Sequence, residues 1–79
     1  MDIKVLGPGC INCVTLYNRT QRAAAEAGLD VNVEKVTDFQ QIMKYGVMKT
    51  PALVVNGEVK VSGRVPTQAE LVELLKAAR

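Results

Sequence analysis

The stretch TPALVVNGEVKV, residues 50–61, carries the clearest structural signal in the chain. Two short runs rich in branched apolar residues, 52–55 and 58–61, flank the dipeptide Asn56-Gly57. Asn and Gly accept the positive φ angles that a two-residue hairpin turn requires. The stretch therefore predicts an antiparallel β-hairpin, and the remaining elements are placed outward from it.

Upstream of the hairpin, the pattern predicts two strands joined by a helix. Residues 3–6 are an apolar run that ends at Gly7-Pro8-Gly9, as a strand followed by a tight loop does. From Cys10 the apolar residues recur at helical spacing up to Gly28, which suits the left-handed position after a helix. Residues 31–36 predict the second strand. The predicted inward face of the helix consists of Cys13, Leu16, Tyr17, Thr20, Ala23, Ala24 and Ala27.

Two capping boxes predict two further helices. Thr37 and Gln40 open a short helix that ends at Gly46, with Asp38 near its positive end. Thr67 and Glu70 open the last helix. The residues predicted to face inward are Phe39, Ile42 and Met43 in the short helix and Leu71, Leu74, Leu75 and Ala78 in the last one.

The predicted order of elements is β-α-β-α-β-β-α. This order describes an α/β fold with a four-stranded mixed sheet flanked by three helices. Because a helix joins the first two strands, they are predicted to be parallel, with a right-handed crossover. A chain of 79 residues supports one small domain, so residues 1–79 are expected to form a single domain.

Composition argues against several classes of partner. Ten basic and eight acidic residues are scattered along the chain and give a net charge of +2. There is no basic run, and aromatic residues make up only 4%, so no nucleic-acid partner is expected. No apolar stretch is long enough to span a bilayer, and the N-terminus shows no secretory signal. We therefore expect no membrane partner and a cytoplasmic location.

The segment GPGCINC, residues 7–13, holds both cysteines, Cys10 and Cys13. They can form a structural disulfide, half of a metal site or a redox pair. A structural disulfide is disfavoured, because cytosolic disulfides are mostly transient and so small a loop contributes only about 2 kcal/mol. Structural zinc takes four ligands, and the chain has no histidine and no third cysteine. A soft Cu(I)-type ion held by the two thiolates stays open as an alternative.

A dithiol–disulfide cycle fits the spacing best. At the N-terminal edge of a helix, the sulfur of Cys10 lies near unpaired N–H groups and the positive end of the dipole. Such sites lower a cysteine pKa to about 3.5–7.5. Cys13 lies on the same face of the first turn, close enough to act on a mixed disulfide after a small adjustment.

The stretch YGVMKTPAL, residues 45–53, resembles the second half of a thioredoxin. In that family a Tyr-Gly-Val turn leads to a cis-proline, a strand, an Asn-Gly turn and the last strand. Together with Cys10-Ile11-Asn12-Cys13, the resemblance covers nearly the whole chain, although the length is closer to that of a glutaredoxin. The chain is similar to the small thioredoxin-like or glutaredoxin-like redox-active disulfide proteins of archaea and bacteria, which implies the thioredoxin fold.

The resemblance implies a role for each matching residue. Cys10 matches the nucleophile and Cys13 the resolving cysteine. Pro51 matches the cis-proline beside the disulfide, and Thr50 the residue whose backbone groups pair with a client peptide. Gly63 matches the glycine that keeps this side of the site open.

The chain departs from the thioredoxin pattern around the cysteines. Gly9 stands where thioredoxins have a tryptophan, and Ile11 and Asn12 replace glycine and proline. The buried aspartate of thioredoxins falls, by offset, on Lys4, which either stabilises a thiolate or extends from the strand to solvent. Of a glutathione-binding segment only one glycine, followed by Arg64, is recognisable.

The resemblance implies a thiol–disulfide oxidoreductase with no metal and no cofactor beyond the disulfide itself. The expected partners are client proteins with disulfides and an electron donor, either a thioredoxin reductase-like enzyme or a low-molecular-weight thiol. The chain is expected to be a monomer. A glutathione-linked glutaredoxin-like protein and a soft-metal binding module remain the alternatives.

Overall fold

The computed structural model describes residues 1–78 and contains the seven predicted elements in the predicted order. The prediction of a four-stranded mixed sheet with three helices is confirmed. The strands are β1 (Ile3–Leu6), β2 (Val33–Val36), β3 (Ala52–Val55) and β4 (Glu58–Ser62), and the helices are α1 (Ile11–Glu26), α2 (Phe39–Lys44) and α3 (Gln68–Ala78).

The sheet has the strand order β2-β1-β3-β4. β1 runs parallel to β2, with Leu6 opposite Val36, and antiparallel to β3, with Leu6 opposite Ala52. β3 and β4 form the predicted antiparallel hairpin. As a result, the chain that leaves β1, the chain that leaves β2 and the chain that enters β3 all meet at one edge of the sheet.

Each face of the sheet packs its own core. Helices α1 and α3 cover one face, where Val5, Leu16 and Leu71 belong to a single buried cluster. Helix α2 covers the other face, where Leu6 packs with Ile42. The two-residue alternation of side chains along β1 explains why neighbouring residues belong to different cores.

Helix α1 follows its predicted pattern. Cys10 is its N-cap, and Gly28, with φ of +74°, follows the C-cap. The Thr20 hydroxyl, although buried, donates a hydrogen bond to the Leu16 carbonyl at 2.7 Å. Of the predicted inward face, Tyr17 is half-buried and the others are buried, namely Cys13, Leu16, Thr20, Ala23, Ala24 and Ala27.

The predicted cap of α2 is wrong by one residue. Asp38, not Thr37, is the N-cap, and its Oδ1 accepts a hydrogen bond from the Gln40 N–H at 3.1 Å. Both residue types cap helices well, so the sequence pattern could not separate them. The difference moves the start of α2 to Phe39.

The predicted inward face of α2 is also wrong at two positions. Ile42 is buried, but Phe39 and Met43 are 66% and 59% exposed. A helix of six residues has fewer than two turns, so few of its side chains can face the sheet, and here only Ile42 is buried. The rest of this core is closed by three half-buried residues from outside the helix, Val36, Tyr45 and Val47.

The hairpin and α3 form largely as predicted. Asn56 and Gly57 have φ angles of 52° and 82°, which confirms the turn. The Thr67 hydroxyl caps α3 by accepting the Glu70 N–H at 3.2 Å, but the Glu70 carboxylate pairs with Arg64 instead of completing the box. No helix within residues 1–78 is long and apolar enough to cross a membrane.

Candidate active site

The candidate site lies at the edge of the sheet where β1 ends. Residues 7–10, here called the cysteine loop, lead from β1 into α1, and residues 46–51, here called the proline loop, lead from α2 into β3. Because Leu6 pairs with Ala52, the register places the start of the cysteine loop beside the end of the proline loop. Two distant stretches of sequence therefore meet at one place.

Cys10 begins α1 and bears an exposed side chain. Its Sγ accepts a hydrogen bond from the Cys13 N–H at 3.2 Å, and its carbonyl accepts the Val14 N–H at 3.0 Å. The sulfur is therefore part of the helix N-cap. An N–H donor and the positive end of a 16-residue helix both favour a thiolate at this position in the reduced protein.

Cys13 is bonded to Cys10 and is only 5% exposed. The two Cα atoms are 5.0 Å apart, within the usual range for a disulfide. One face of Cys13 lines a cavity of about 100 Å³ together with Val5, Gly9, Lys35 and other residues, namely Gly7, Val14 and Thr37. The pair thus combines one accessible sulfur with one enclosed sulfur.

Gly7 leaves the space that Cys13 occupies. A Cβ atom built on Gly7 would overlap Cys13 Sγ and lie 3.0 Å from Cys13 Cβ. Gly7 is also fixed by its N–H, which donates to the Val36 carbonyl at 2.9 Å. The sequence marked Gly7 only as part of a loop, because nothing in the letters indicates which side chain packs against it.

Lys35 is a site neighbour that sequence reasoning missed. It pairs with Val5 across the sheet, and both residues line the Cys13 cavity. Its Nζ lies 4.4 Å from the centre of the Tyr17 ring, a cation–π contact. Among residues 1–78, no carboxylate lies within 4.0 Å of Lys35. The only available signal was the alternation along β2, which puts Lys35 on the same face as Val33.

Lys4 lies on the opposite face of the sheet from Val5. Its Nζ donates to the Tyr45 hydroxyl at 3.1 Å and lies 3.6 Å from Asp2 Oδ2 and 4.0 Å from Glu34 Oε2. The hydrogen bond to Tyr45, reinforced by the Asp2 carboxylate, raises the pKa of Lys4. The structure thus brings Lys4 to the α2 side and not to the cavity that Cys13 lines.

The proline loop is held at its end by β4 and the residue after it. The Thr50–Pro51 peptide bond is cis. The Pro51 carbonyl accepts the Gly63 N–H at 2.9 Å, and the Lys49 carbonyl accepts the Ser62 hydroxyl at 3.1 Å. Between these two anchored residues, the N–H and carbonyl of Thr50 have no hydrogen-bond partner in the part of the chain described.

Gly63 has φ of +78°, and a Cβ atom there would lie 3.0 Å from Lys49 Cβ. A larger residue would therefore be strained and would press on the proline loop. The next residue, Arg64, makes a bidentate pair with Glu70 at the start of α3. This pairing raises the pKa of Arg64, and the same contact lowers the pKa of Glu70.

The remaining predicted residues lie on the surface on either side of Cys10, with Gly9 before it and Ile11 and Asn12 at the start of α1. Gly9, with φ of +104°, lines the Cys13 cavity. Ile11 is 83% exposed, and Asn12 is exposed beside it. In residues 1–78, no group of three or more His, Cys, Asp or Glu residues is arranged to hold a metal ion.

Comparison with known proteins places this geometry in a family. The Thioredoxin domain family profile matches residues 1–76. The chain belongs to this family. A thioredoxin from Methanothermobacter thermautotrophicus is 37% identical over 75 residues, covering 95% of this chain and 97% of that protein. A thioredoxin from Methanocaldococcus jannaschii is 32% identical over 75 residues, covering 95% of this chain and 86% of that protein.

Membership of the thioredoxin family identifies the chemistry of the Cys10–Cys13 disulfide. Named thioredoxins match almost the full chain, and the two cysteines at Cys-x-x-Cys spacing are bonded to each other. The protein is therefore a thiol–disulfide oxidoreductase. The resemblance drawn from the proline loop and the cysteine pair is confirmed at the level of the family.

Proposed function

We propose that the protein exchanges disulfides with client proteins through Cys10 and Cys13. The Cys10 thiolate attacks one sulfur of a client disulfide, forms a mixed disulfide and releases the other client sulfur, which takes up a proton. The Cys13 thiol loses its proton and attacks Cys10 Sγ, which forms the Cys10–Cys13 disulfide and releases the second client thiol. The client gains two electrons and the protein dithiol loses two.

One observation carries this assignment of roles: Cys10 is the exposed N-cap of α1, while Cys13 is enclosed behind it. Only the exposed sulfur is open to a bulky disulfide. The Cys13 N–H that bonds Cys10 Sγ also stabilises a thiolate there. The enclosed sulfur suits the intramolecular second step, in which its target is the neighbouring sulfur.

The cavity beside Cys13 supports the second step. The residues that line it are mostly apolar, with Lys35 and Thr37 as the two that carry polar side chains. The Lys35 ammonium lies over the Tyr17 ring, and in the proposed second step its positive charge favours the thiolate of Cys13. We thus assign to Lys35, on the α1 side, the thiolate-stabilising role that the sequence analysis considered for Lys4.

The unpaired main chain of Thr50 supports binding of a client peptide. Within residues 1–78 its N–H and carbonyl have no hydrogen-bond partner, whereas Lys49 and Pro51 on either side are bonded to Ser62 and Gly63. An extended client segment can pair with Thr50 as one more strand, which holds its disulfide beside Cys10. Pro51 and Gly63 then shape the edge of this site.

The partners follow from the chemistry. Clients are proteins with accessible disulfides, and the electron donor is a thioredoxin reductase-like enzyme or a low-molecular-weight thiol. The Cys10–Cys13 disulfide is the redox group, and no other cofactor or metal takes part. We assign the activity to one domain, residues 1–79, working as a monomer in the cytoplasm.

Trapping tests the assigned roles. Cys13→Ser should accumulate a mixed disulfide between Cys10 and a disulfide-bonded peptide, detected by mass spectrometry and released by dithiothreitol. Cys10→Ser should trap none, because the remaining thiol is enclosed, and the double variant is the matched control. Trapping through Cys13 in Cys10→Ser at a comparable rate would reverse the roles.

A comparison of donors tests the glutathione alternative. The oxidised protein is offered either glutathione or a thioredoxin reductase with NADPH, and the rates of free-thiol appearance are compared. We expect the reductase to be the faster donor, because glutathione would have to compete with the Glu70 carboxylate for Arg64. Reduction by glutathione alone would favour the glutaredoxin-like reading.

A further inference from the structure

We propose that Ser62, Tyr45 and Lys4 are positioning residues that hold the proline loop in the form that pairs with a client peptide. The inference rests on the proposed function, because it explains how the Thr50 main chain is kept ready for that pairing. None of the three makes a hydrogen bond to a sulfur atom, and none is expected to bind the client directly. Their effect passes through the loop.

The first anchor is at the end of the loop. Ser62, the last residue of β4, donates its hydroxyl to the Lys49 carbonyl at 3.1 Å, one residue before Thr50. The Gly63 N–H donates to the Pro51 carbonyl at 2.9 Å, one residue after Thr50. Ser62 and Gly63, the last residue of β4 and the residue after it, therefore fix both neighbours of Thr50.

The second anchor is at the start of the loop. Tyr45 is the C-cap of α2, and its hydroxyl accepts a hydrogen bond from Lys4 Nζ at 3.1 Å. Lys4 lies within β1, where it pairs with residues of both neighbouring strands, so its backbone is fixed. Asp2 and Glu34 also pair with the ammonium, at 3.6 Å and 4.0 Å.

Between the anchors, one residue faces inward and one faces outward. Val47 packs on the α2 core beside Tyr45, while Met48 is 96% exposed. Residues 46–49 therefore have little packing of their own, and we infer that side-chain hydrogen bonds from β1 and β4 supply much of the order of the loop. Losing them should let Thr50 sample orientations that cannot pair with a client strand.

The test compares a peptide substrate with a disulfide that lacks peptide groups. One substrate is a synthetic peptide closed by a disulfide, and the other is dithiobis-nitrobenzoate, whose only shared feature is the disulfide. The variants are Ser62→Ala, Tyr45→Phe and the two combined. Ser62→Thr keeps the hydroxyl, and Lys60→Ala on the same hairpin removes only an exposed pair with Glu58.

Each single variant should raise KM for the peptide about threefold with kcat nearly unchanged, and the double variant about tenfold, as expected for partly exposed hydrogen bonds. The reaction with dithiobis-nitrobenzoate should be unchanged in all variants. Ser62→Thr and Lys60→Ala should match the wild type on both substrates. Far-ultraviolet circular dichroism is used to check that each variant is folded.

Equal losses on both substrates would show a general structural role and overturn the inference, and so would unchanged KM values in Ser62→Ala and Tyr45→Phe. These outcomes differ from failure of the proposed function. If Cys13→Ser traps no mixed disulfide with the peptide, the proposed function fails first, and the positioning role fails with it.

Discussion

At the scale of single residues, Gly7 shows how the site depends on an absent side chain. The sulfur of Cys13 occupies the volume that a Cβ atom on Gly7 would need. The backbone of Gly7 cannot retreat easily, because its N–H is bonded to the Val36 carbonyl on β2. Any added atom must therefore be accommodated by movement of Cys13 or of the first turn of α1.

We predict that Gly7→Ala slows resolution more than attack. The added methyl displaces Cys13 Sγ while leaving exposed Cys10 open to a client. The mixed disulfide with a peptide should then persist at least about tenfold longer, since misplacement by about 1 Å can cost about a hundredfold in rate. Quenched-flow mass spectrometry measures both steps.

Pro8→Ala is the matched control for this prediction, because Pro8 is exposed in the same loop and the change adds no atom near Cys13. Its resolution rate should equal that of the wild type. Equal slowing of attack and resolution in Gly7→Ala would mean that the loop as a whole is disturbed, and the steric explanation would be wrong.

At the scale of elements, features set by neighbouring residues could be predicted from the sequence, whereas burial that depends on distant residues could not. The Asn56-Gly57 turn follows from its own backbone preferences, and it forms as predicted. The exposure of Phe39 could not be predicted in this way, because burial in a short helix depends on which distant residues complete the core. Val47 and Tyr45 do so here, from outside the helix.

The two lysines near the site show a second limit of sequence reasoning. Counting back from Cys10 pointed to Lys4, but the face on which a strand residue lies depends on a period of two. A difference of one residue in a loop reverses that face. Lys4 consequently meets Tyr45 on the α2 side, while Lys35, from the neighbouring strand, lines the Cys13 cavity.

The cap of α2 gives a test at this scale. Asp38→Ala should lower the free energy of unfolding by about 1 kcal/mol, because it removes the acceptor for the Gln40 N–H. Urea denaturation followed by circular dichroism measures the change. Thr37→Ala is the control and should change it by less than about 0.5 kcal/mol. The opposite ranking would restore Thr37 as the cap.

At the scale of the whole molecule, stability rests on two cores separated by one sheet. The larger core joins α1 and α3, which pack on the same face. The smaller one has only α2 above it and also carries the start of the proline loop. The face that supports Cys13 is thus the more heavily packed one, whereas the face that carries the start of the proline loop is lightly covered.

We predict that Leu71→Ala destabilises the whole fold. Leu71 is fully buried where α3 packs on the larger core, so the truncation should lower the free energy of unfolding by about 2–5 kcal/mol. A chain of 79 residues has about 4–12 kcal/mol in total. Thermal and urea unfolding measure the loss.

Met48→Ala is the matched control for Leu71→Ala, because it truncates a side chain that is 96% exposed. It should leave the free energy of unfolding within about 0.5 kcal/mol of the wild type. A loss of less than about 1 kcal/mol in Leu71→Ala would contradict the packing described for α3.

The N-cap position of Cys10 links the stability of the fold to the reduction potential of the disulfide. Its sulfur accepts the Cys13 N–H, and a thiolate is a stronger acceptor than a disulfide sulfur. In a cycle of folded and unfolded, oxidised and reduced states, extra stability of the folded reduced form raises the reduction potential by the equivalent free energy. The free energy of capping at Cys10 and the reduction potential of the disulfide are therefore thermodynamically coupled. A substitution that never touches sulfur will shift the potential whenever it stabilises the first turn of α1 in one redox state more than in the other.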